Sequence, residues 1–395
     1  MNRVLTIHHP PSAFRTLRVW WGRMRVMTMK EFLQLLRDPI LLFFLLYAFT
    51  ADIYNAGSGV TLQLNRAAML VMDSDRSIAS RELTHRFLPP YFQLAGEIEH
   101  PQDGITRLDR GEAMIVLDFP TRFEESLLKG EQTSVQMQVD ATNSVLGFLA
   151  TSYGAQIIGR YGLEEGLKRE GLSETGLEKA PVIVNDCRVW FNPNQNDAWF
   201  MSISELLNII TVFAILLPAA AMVREKERGT VEQLLVSPLS SFQVMFPKVV
   251  AMTVVILAAT ALSFLAVLGP IFHVPVKGSL LLFFAITTLY VVNIAGLGLF
   301  VATMTRNLAQ AGMLSILILA PMIFLSGVWT PPEAMPRLLR YGMYISPLHY
   351  YIDASYGVLL KGAGLDILWD SVLGIALLGG FAAGLGLWRF RGQFE

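Results

Sequence analysis

The sequence has few charged residues and a single cysteine. Only 16% of its 395 residues are Asp, Glu, Lys or Arg, against about 25% in an average soluble domain. With a mean hydropathy of +0.46, this shortage favours a protein that lies largely in lipid and argues against a purely soluble enzyme. Cys187 alone cannot form an intramolecular disulfide or build a cysteine-rich metal site.

The common catalytic motifs are also absent. No Lys follows a Gly anywhere in the chain, so the G-x-x-x-x-G-K-[ST] phosphate loop is missing. HExxH and GxSxG, the commonest zinc-protease and serine-hydrolase signatures, are missing as well. The six histidines never pair at metal-ligand spacing on a predicted helix, and the net charge of -1 argues against nucleic acid as a partner. We therefore expect no enzyme activity, no metal site and no cofactor in this chain.

Six apolar segments are long enough to predict membrane-spanning helices. They lie at about Pro39–Asn55, Met201–Val223, Val249–Phe272, Ser279–Met304, Ala309–Trp329 and Ile367–Trp388. The first is the weakest, because its apolar run is short and Asp52 follows it. These segments predict an α-helical polytopic membrane protein, with residues 39–56 as its first transmembrane helix and the other five within 200–395.

The distribution of cations predicts the orientation of these helices. The segments on one side carry 14 Lys and Arg residues, whereas the two short loops on the other side carry four. Under the positive-inside rule, both termini are predicted to be cytoplasmic. Residues 1–38 hold seven cations and two acids, and Leu17–Leu36 places apolar side chains among them, which predicts a helix lying in the cytoplasmic interface.

Residues 57–199 predict a separate external domain between the first and second spans. Their 13 cations and 20 acids make this stretch acidic, and it is long enough to escape the positive-inside rule. Runs typical of strands alternate with runs typical of helices, which predicts a large α/β domain in the periplasm. The strand-like runs are Ala67–Met72, Ala113–Phe119, Ser134–Val139 and Val182–Val189, and the helical runs are Ser77–Phe87, Thr121–Lys129 and Val145–Arg169. One predicted helix begins with a capping box in which Thr121 is the N-cap and Glu124 lies three residues later.

The second span runs directly into a charged segment, residues 224–239, which we interpret as a coupling helix. Gly229 allows a bend, Thr230 can cap a short helix, and Pro238 ends it. A short helix with mixed charge, joined to two spans, suits a membrane protein that receives force from a soluble partner. The predicted coupling residues are Arg224, Glu225, Glu227, Arg228, Gly229, Thr230, Glu232 and Gln233.

Three polar residues inside predicted spans are candidates for a translocation pathway. Glu205 and Asn208 share one face of the second span, and lipid would penalise both. Because Glu205 is only about one turn inside, solvation at the interface is the alternative interpretation. Asn293 lies deeper in the fourth span and fits either pathway lining or hydrogen bonding between helices.

The segment EKERGTVEQLLVSPLS, placed after the second span and behind a large external domain, resembles the coupling region of ABC transporter type-2 export permeases. Arg37-Asp38-Pro39 before the first span and Phe191-Asn192-Pro193-Asn194 before the second also fit. So does the stretch from Thr330 through YISPLHYYIDA, which is similar to the external re-entrant segment of the family (residues 330–362). The resemblance covers nearly the whole chain and is strongest to bacterial inner-membrane members.

This resemblance implies an export function. The chain would be the permease subunit of an ATP-driven exporter that moves drugs or other amphiphiles out across the inner membrane. It would work as a homo- or heterodimer, with ATP and Mg bound by separate cytoplasmic ATPase subunits, and could deliver cargo to a periplasmic adaptor and an outer-membrane channel. A competing hypothesis is a membrane-anchored ligand sensor or scaffold that docks a cytoplasmic partner. An ion-driven secondary carrier ranks last, because it would need more ionisable residues at mid-membrane.

Overall fold

The structure is a computed structural model that describes residues 13–59, 64–142, 144–169, 192, 196–229, 240–328 and 335–392. The chain divides into two compact units. The first comprises Met1–Val60 with Val189–Glu395, and the second is Thr61–Arg188. Each unit has its own apolar core.

The first unit begins with a long helix, α1 (Ala13–Leu36), followed after a short turn by α2 (Pro39–Tyr47). Asp38 is the N-cap of α2, since its Oδ1 accepts a hydrogen bond from the backbone N–H of Leu41 at 3.1 Å. Pro39 suits the first helical position, where no partner for an N–H is needed. A π-helical turn, Ala48–Asp52, joins α2 to α3 (Ile53–Gly59). The helix thus continues for a further turn beyond the predicted end at Asn55.

The second unit is a small mixed α/β fold. Its described elements are β1 (Ala67–Asp73), α4 (Ile78–Arg86), β2 (Phe92–Glu97), α5 (Pro101–Asp109), β3 (Ile115–Phe119), α6 (Phe123–Lys129), β4 (Gln136–Val139) and α7 (Ser144–Arg169). The described strands form one sheet in the order β2-β1-β3-β4, in which β1 pairs parallel with β2 and β3 while β4 is antiparallel to β3. Three of these strands are predicted from the sequence, whereas β2 and α5 are not. The predicted strand at Val182–Val189 lies outside the described residues.

The central strand β1 is buried on both faces. Met69 and Val71 belong to one apolar cluster, whereas Leu70 and Met72 belong to a second. Because neighbouring residues of a strand point to opposite faces, a strand covered on both sides needs an unbroken apolar run. This requirement explains the sequence AAMLVM.

The predicted capping box of α6 is wrong. Arg122, with a left-handed φ of 64°, is the N-cap, and it makes no side-chain cap bond. The Oδ2 atom of Asp75 instead accepts a hydrogen bond from the N–H of Glu124 at 2.9 Å. Glu124 Oε1 accepts one from Ala79 at 3.3 Å. The cap is supplied across the fold, from the segment that leads from β1 into α4.

The remaining helices return to the first unit. They are α8 (Asp197–Glu227), α9 (Ser241–Ser263, continued by a π-helical turn, Phe264–Leu268), α10 (Leu280–Met304), α11 (Leu308–Phe324), α12 (Arg337–Met343), α13 (Pro347–Tyr356, continued by a π-helical turn, Gly357–Lys361) and α14 (Leu365–Arg391). Asn196 caps α8 by accepting from Ala198 N–H at 3.0 Å. Asn196 is itself held by Asn192 through two hydrogen bonds of 3.0 Å.

Five helices within the described residues are long and apolar enough to cross a membrane. They are Pro39–Gly59, Asp197–Glu227, Phe242–Leu268, Leu280–Met304 and Leu365–Arg391. The segment predicted as the fifth span is α11, a shorter apolar helix of 17 residues. The protein is therefore mostly helical, with a small mixed-sheet unit inserted after the first apolar helix.

The helices α10 and α14 approach each other closely at glycines. A Cβ at Gly386 would overlap the backbone carbonyl of Gly296, and a Cβ at Gly296 would overlap the backbone of Ala383. In contrast, Gly380 and Gly384 of the same helix have open space where a Cβ would stand. Small residues let helix backbones meet in this way.

Candidate coupling site

Four charged side chains meet where α1 packs against the ends of α8 and α9. The ammonium of Lys248 lies 2.7 Å from Oε1 of Glu31 and 2.8 Å from Oε1 of Glu225. Lys30 binds Glu225 at 2.7 Å and lies 3.7 Å from Glu31. We call Lys30, Glu31, Glu225 and Lys248 the buried charge cluster. Its two acids and two cations balance, so the cluster carries no net charge when all four are ionised.

Helix periodicity explains how α1 delivers a carboxylate to this place. Met24, Glu31 and Leu35 are seven and four residues apart, which puts them on one face of the helix. All three are buried. Glu31 therefore takes a position that an apolar residue would otherwise hold, and it reaches Lys248 across the helix contact.

Burial makes these ion pairs interdependent. The side chains of Lys248 and Glu31 are only 1% and 2% exposed. Removing one partner of a buried pair leaves an uncompensated charge and costs about 3–5 kcal/mol. Burial alone would lower the pKa of Lys30, but its hydrogen bond and ion pair with Glu225 outweigh that effect and raise it. The cluster thus joins three helices through contacts that are hard to break singly.

A second ion pair joins the same end of α8 to the turn between α1 and α2. Nη1 of Arg224 donates to Oδ2 of Asp38 at 2.7 Å. The pKa of Asp38 is lowered by the backbone N–H of Leu41 and by the Arg224 guanidinium. One carboxylate therefore caps α2 and binds α8 at the same time.

The last residues of α8 also bind the helices on its other side. Lys226 Nζ donates to the carbonyl of Ala302 in α10 at 2.5 Å. Glu227 Oε1 accepts from the N–H of Leu308, the first residue of α11, at 2.9 Å. Through four consecutive residues, Arg224 to Glu227, α8 contacts α1, α9, α10, α11 and the turn before α2.

A cavity of about 480 Å³ lies between α1, the turn before α2 and α8. It is lined by both charged and apolar side chains: Lys30, Glu31, Gln34, Leu35, Arg37, Asp38, Pro39, Leu41, Leu217, Ala220, Ala221, Arg224, Glu225, Arg228 and Met252. The buried charge cluster forms part of its wall.

Nearer the start of α8, tyrosine hydroxyls bind this helix to α10 and α13. Tyr290 and Tyr351 stack with ring centroids 4.0 Å apart. The hydroxyl of Tyr290 is 2.9 Å from that of Thr211 in α8, and Tyr356 of α13 hydrogen-bonds with Ser204. These buried contacts tie α8 to α10 and α13.

A family model described as ABC-2 family transporter protein matches residues 32–388. The chain belongs to the ABC-2 transporter family. It is 32% identical over 362 residues to the inner membrane transport permease YhhJ of Escherichia coli, a match covering 92% of this chain and 95% of YhhJ. It is 30% identical to the probable multidrug ABC transporter permease YbhR (89% of this chain, 93% of YbhR), and 26% identical to YbhS, which has the same description (87% and 89%). All three are from E. coli, and the predicted family is confirmed.

As a member of the ABC-2 transporter family, the chain is a membrane permease. The relatives that it matches over nearly their whole length are described as an inner membrane transport permease and a probable multidrug ABC transporter permease. Within the described residues, no group of three or more His, Cys, Asp or Glu side chains is arranged to hold a metal ion.

The structure places the predicted coupling residues of this ABC-2 permease in two groups. Arg224, Glu225 and Glu227 form the bonded end of α8 described above. Arg228 and Gly229 follow, and Gly229 has a left-handed φ of 66°, which glycine adopts without strain. Thr230, Glu232 and Gln233 lie outside the described residues, as does most of the segment 224–239.

The predicted pathway residues of the permease do not all share one environment. Glu205 is half-buried and lies near the carboxylate of Asp52. Asn208 is buried beside Glu205, and its Oδ1 has no hydrogen-bond partner among the described residues. Asn293 packs on α14. A Cβ added at Gly379 of α14 would lie 2.7 Å from the Cβ of Asn293. This contact favours the helix-packing alternative for Asn293.

The partners of the coupling residues in this ABC-2 family member could not be predicted from the sequence. Lys30, Glu31 and Asp38 lie in the segment predicted for the interface, and Lys248 directly precedes the predicted third span. One available signal was the position of Lys248 in the apolar stretch MFPKVVAM. A lysine there must find a carboxylate or reach water.

Proposed function

We propose that this chain is the permease subunit of an ATP-driven exporter that moves drugs or other amphiphiles out across the bacterial inner membrane. It acts as a dimer, homo- or heteromeric, with separate cytoplasmic ATPase subunits that bind ATP and Mg. The names of the relatives YbhR and YbhS support the substrate class, since both are described as probable multidrug permeases. The topology has six spans, with α11 as the fifth, cytoplasmic termini and the region 57–199 in the periplasm.

The observation that carries this proposal is the buried charge cluster beside the coupling segment. Force applied to residues 224–239 reaches α8 first, at the residues that are bonded to α1, α9, α10 and α11. Because separating buried opposite charges is costly, we infer that the joined ends of α1, α8 and α9 move together. A displacement of the coupling segment would then shift the bundle between inward-facing and outward-facing populations.

Uncoupling variants test this function. We expect Glu227→Ala combined with Arg228→Ala to insert normally, to bind the ATPase subunit and to lose ATP-dependent flux in proteoliposomes. The matched control is Glu125→Ala with Lys129→Ala, an exposed ion pair on α6 of the other unit, which should leave flux in vesicles unchanged. Wild-type flux from the Glu227, Arg228 double variant would overturn the coupling assignment. ATP-dependent flux by the parent complex also separates a transporter from a sensor or scaffold.

The bend at Gly229 offers a second test at one position. Among the described residues other than its chain neighbours, no atom lies within 4 Å of the place where a Cβ on Gly229 would stand, so the left-handed backbone is the constraint that the structure shows for a substitution there. Asn tolerates a left-handed φ, whereas Pro fixes φ near −65°. We expect Gly229→Pro to uncouple ATP hydrolysis from transport and Gly229→Asn to retain coupling. Equal coupling in both variants would contradict a role for the bend.

A further inference from the structure

The cavity between α1 and α8 has more positive charge than its acids can neutralise. Asp38 is bound by Arg224, Glu31 by Lys248, and Glu225 by both Lys30 and Lys248. Arg37 and Arg228 also line the cavity. Neither forms an ion pair with an acid among the described residues. Both side chains are exposed, so an anion in the cavity can approach their guanidinium groups.

Another part of the lining is apolar. Leu41 and Leu217 belong to it, as do Ala220 and Ala221 of α8. Next to this wall, α2 presents Ile40, Phe43 and Phe44 as exposed apolar side chains. An occupant that satisfies both parts carries a negative group at one end and hydrocarbon at the other.

The position of α1 supports the same chemistry. Trp21, Met29, Leu33 and Leu36 are exposed on this helix although they are apolar. Exposed tryptophan and aliphatic residues among cations are typical of a helix in the headgroup layer. Under the proposed topology, the cavity then lies at the cytoplasmic headgroup level, where anionic lipids are found. This is the only respect in which the inference rests on the proposed function.

We propose that this cavity binds the phosphate headgroup of an anionic phospholipid. Arg37 and Arg228 bind the phosphate oxygens, Leu41 and Leu217 contact the start of the acyl chains, and the chains run along the exposed face of α2. The volume of about 480 Å³ lies in the range of small-molecule pockets and suits a headgroup rather than a whole lipid. A bound headgroup would fill the space between the interfacial helix and the bonded end of α8.

Lipid binding by the purified full-length chain in detergent tests the proposal. Phosphatidylglycerol and phosphatidylcholine are titrated separately, and bound lipid is counted by native mass spectrometry. Each cation near the surface contributes about fivefold in affinity, so Arg37→Ala with Arg228→Ala should weaken phosphatidylglycerol binding by about thirtyfold. Arg37→Lys with Arg228→Lys should restore most of it. Both arginines are exposed, so the variants should fold, and thermal unfolding without lipid checks this.

The control removes two cations outside the cavity, Arg25→Ala with Arg391→Ala, both exposed. It should bind phosphatidylglycerol as the parent chain does. Equal binding by the Arg37, Arg228 double variant and the parent would overturn the proposal, and so would equal binding of the two lipids. Displacement of the lipid by excess inorganic phosphate would show that the site takes free phosphate instead. None of these outcomes depends on the ATPase partner, so transport and lipid binding can fail independently.

Discussion

The carboxylate of Glu31 lies 2.7 Å from the ammonium of Lys248, 217 residues farther along the chain. Both side chains are almost completely removed from solvent. Neither residue could be buried in this way alone, because an isolated charge in a dry interior is far too costly. The pair therefore fixes the position of α1 against α9, beside the end of α8, where residues 224–227 form the first part of the coupling segment.

Replacing one residue of the buried charge cluster should lower the stability of the fold more than replacing an oppositely charged pair. Lys248→Met leaves two carboxylates buried with only Lys30 to balance them, and we expect a loss of about 3–5 kcal/mol. Lys248→Met with Glu31→Gln keeps the Lys30–Glu225 pair and should lose less. Thermal unfolding in detergent measures both, with Lys361→Met, at an exposed lysine, as the control. A double variant less stable than Lys248→Met would contradict this balance of charges.

Two glycines of α14 should respond oppositely to the same substitution. Gly386→Ala forces a Cβ into the backbone of Gly296 and should separate α10 from α14, lowering the unfolding temperature. A Cβ at Gly384 would stand in open space. Gly384→Ala should therefore leave the unfolding temperature unchanged or raise it, since Ala favours a helix over Gly by about 1 kcal/mol. Equal effects of the two variants on unfolding would contradict the close helix contact. Gly380 and Gly384 form a GxxxG motif that faces away from this contact. Loss of the dimer in Gly384→Ala alone would assign the motif to the proposed dimer interface.

Much of the fold could be predicted because apolar length and alternation are local properties of the sequence. The helix predicted at Met201–Val223 is the centre of α8, and the run AAMLVM is β1. The ends of elements were harder. Thr121 has the right spacing for a cap, yet Asp75 supplies it from another part of the fold. Local pattern cannot show a partner that arrives through tertiary packing.

The candidate site divides in the same way. The charged end of α8 was predictable because charges that directly follow a long apolar run mark a helix leaving the membrane. Its partners were not predictable, because Glu31 and Lys248 form an ion pair only when the fold brings them together. Each looks like an ordinary interfacial or loop charge when taken alone. Ion pairs between distant helices therefore need the fold before they can be identified.

Acid should loosen the packing of α4 on α7 in the second unit. The hydrogen bond from Arg86 lowers the pKa of Glu164 below its ordinary value of 4.5. A carboxylate whose pKa is lower in the folded state stabilises the fold at pH values above its pKa in the unfolded chain. This stabilisation is lost as the pH falls through the lowered pKa. We expect hydrogen exchange in α4 and α7 to show this weakening below about pH 4.5. Glu164→Gln should weaken this pH dependence, whereas Glu131→Gln, at an exposed carboxylate, should preserve it.

Cysteine labelling tests the proposed topology. Leu128 in the second unit is 72% exposed. In a Cys187→Ser background, Leu128→Cys should therefore react with an impermeant thiol reagent added outside spheroplasts. Arg25→Cys on α1 is exposed as well and should react only after the inner membrane is opened. This expectation follows from the excess of cations in the segments assigned to the cytoplasm. Labelling in the reverse order would contradict this orientation.

Deleting the second unit should separate its role from that of the helices. Its apolar core is distinct from the cores of the first unit, so replacing Arg66 to Asp186 by a flexible linker removes no core residue of the helical unit. We expect the shortened chain to insert and to bind the ATPase subunit, because the coupling segment belongs to the helical unit. Export across the whole cell envelope should be lost if this acidic domain docks an adaptor or gates cargo. The control inserts the same linker after Gly130, in an exposed turn between α6 and β4, where insertions are tolerated. Full export by cells that carry the deleted form would show that the domain neither docks nor gates, and would remove the reason to propose an adaptor.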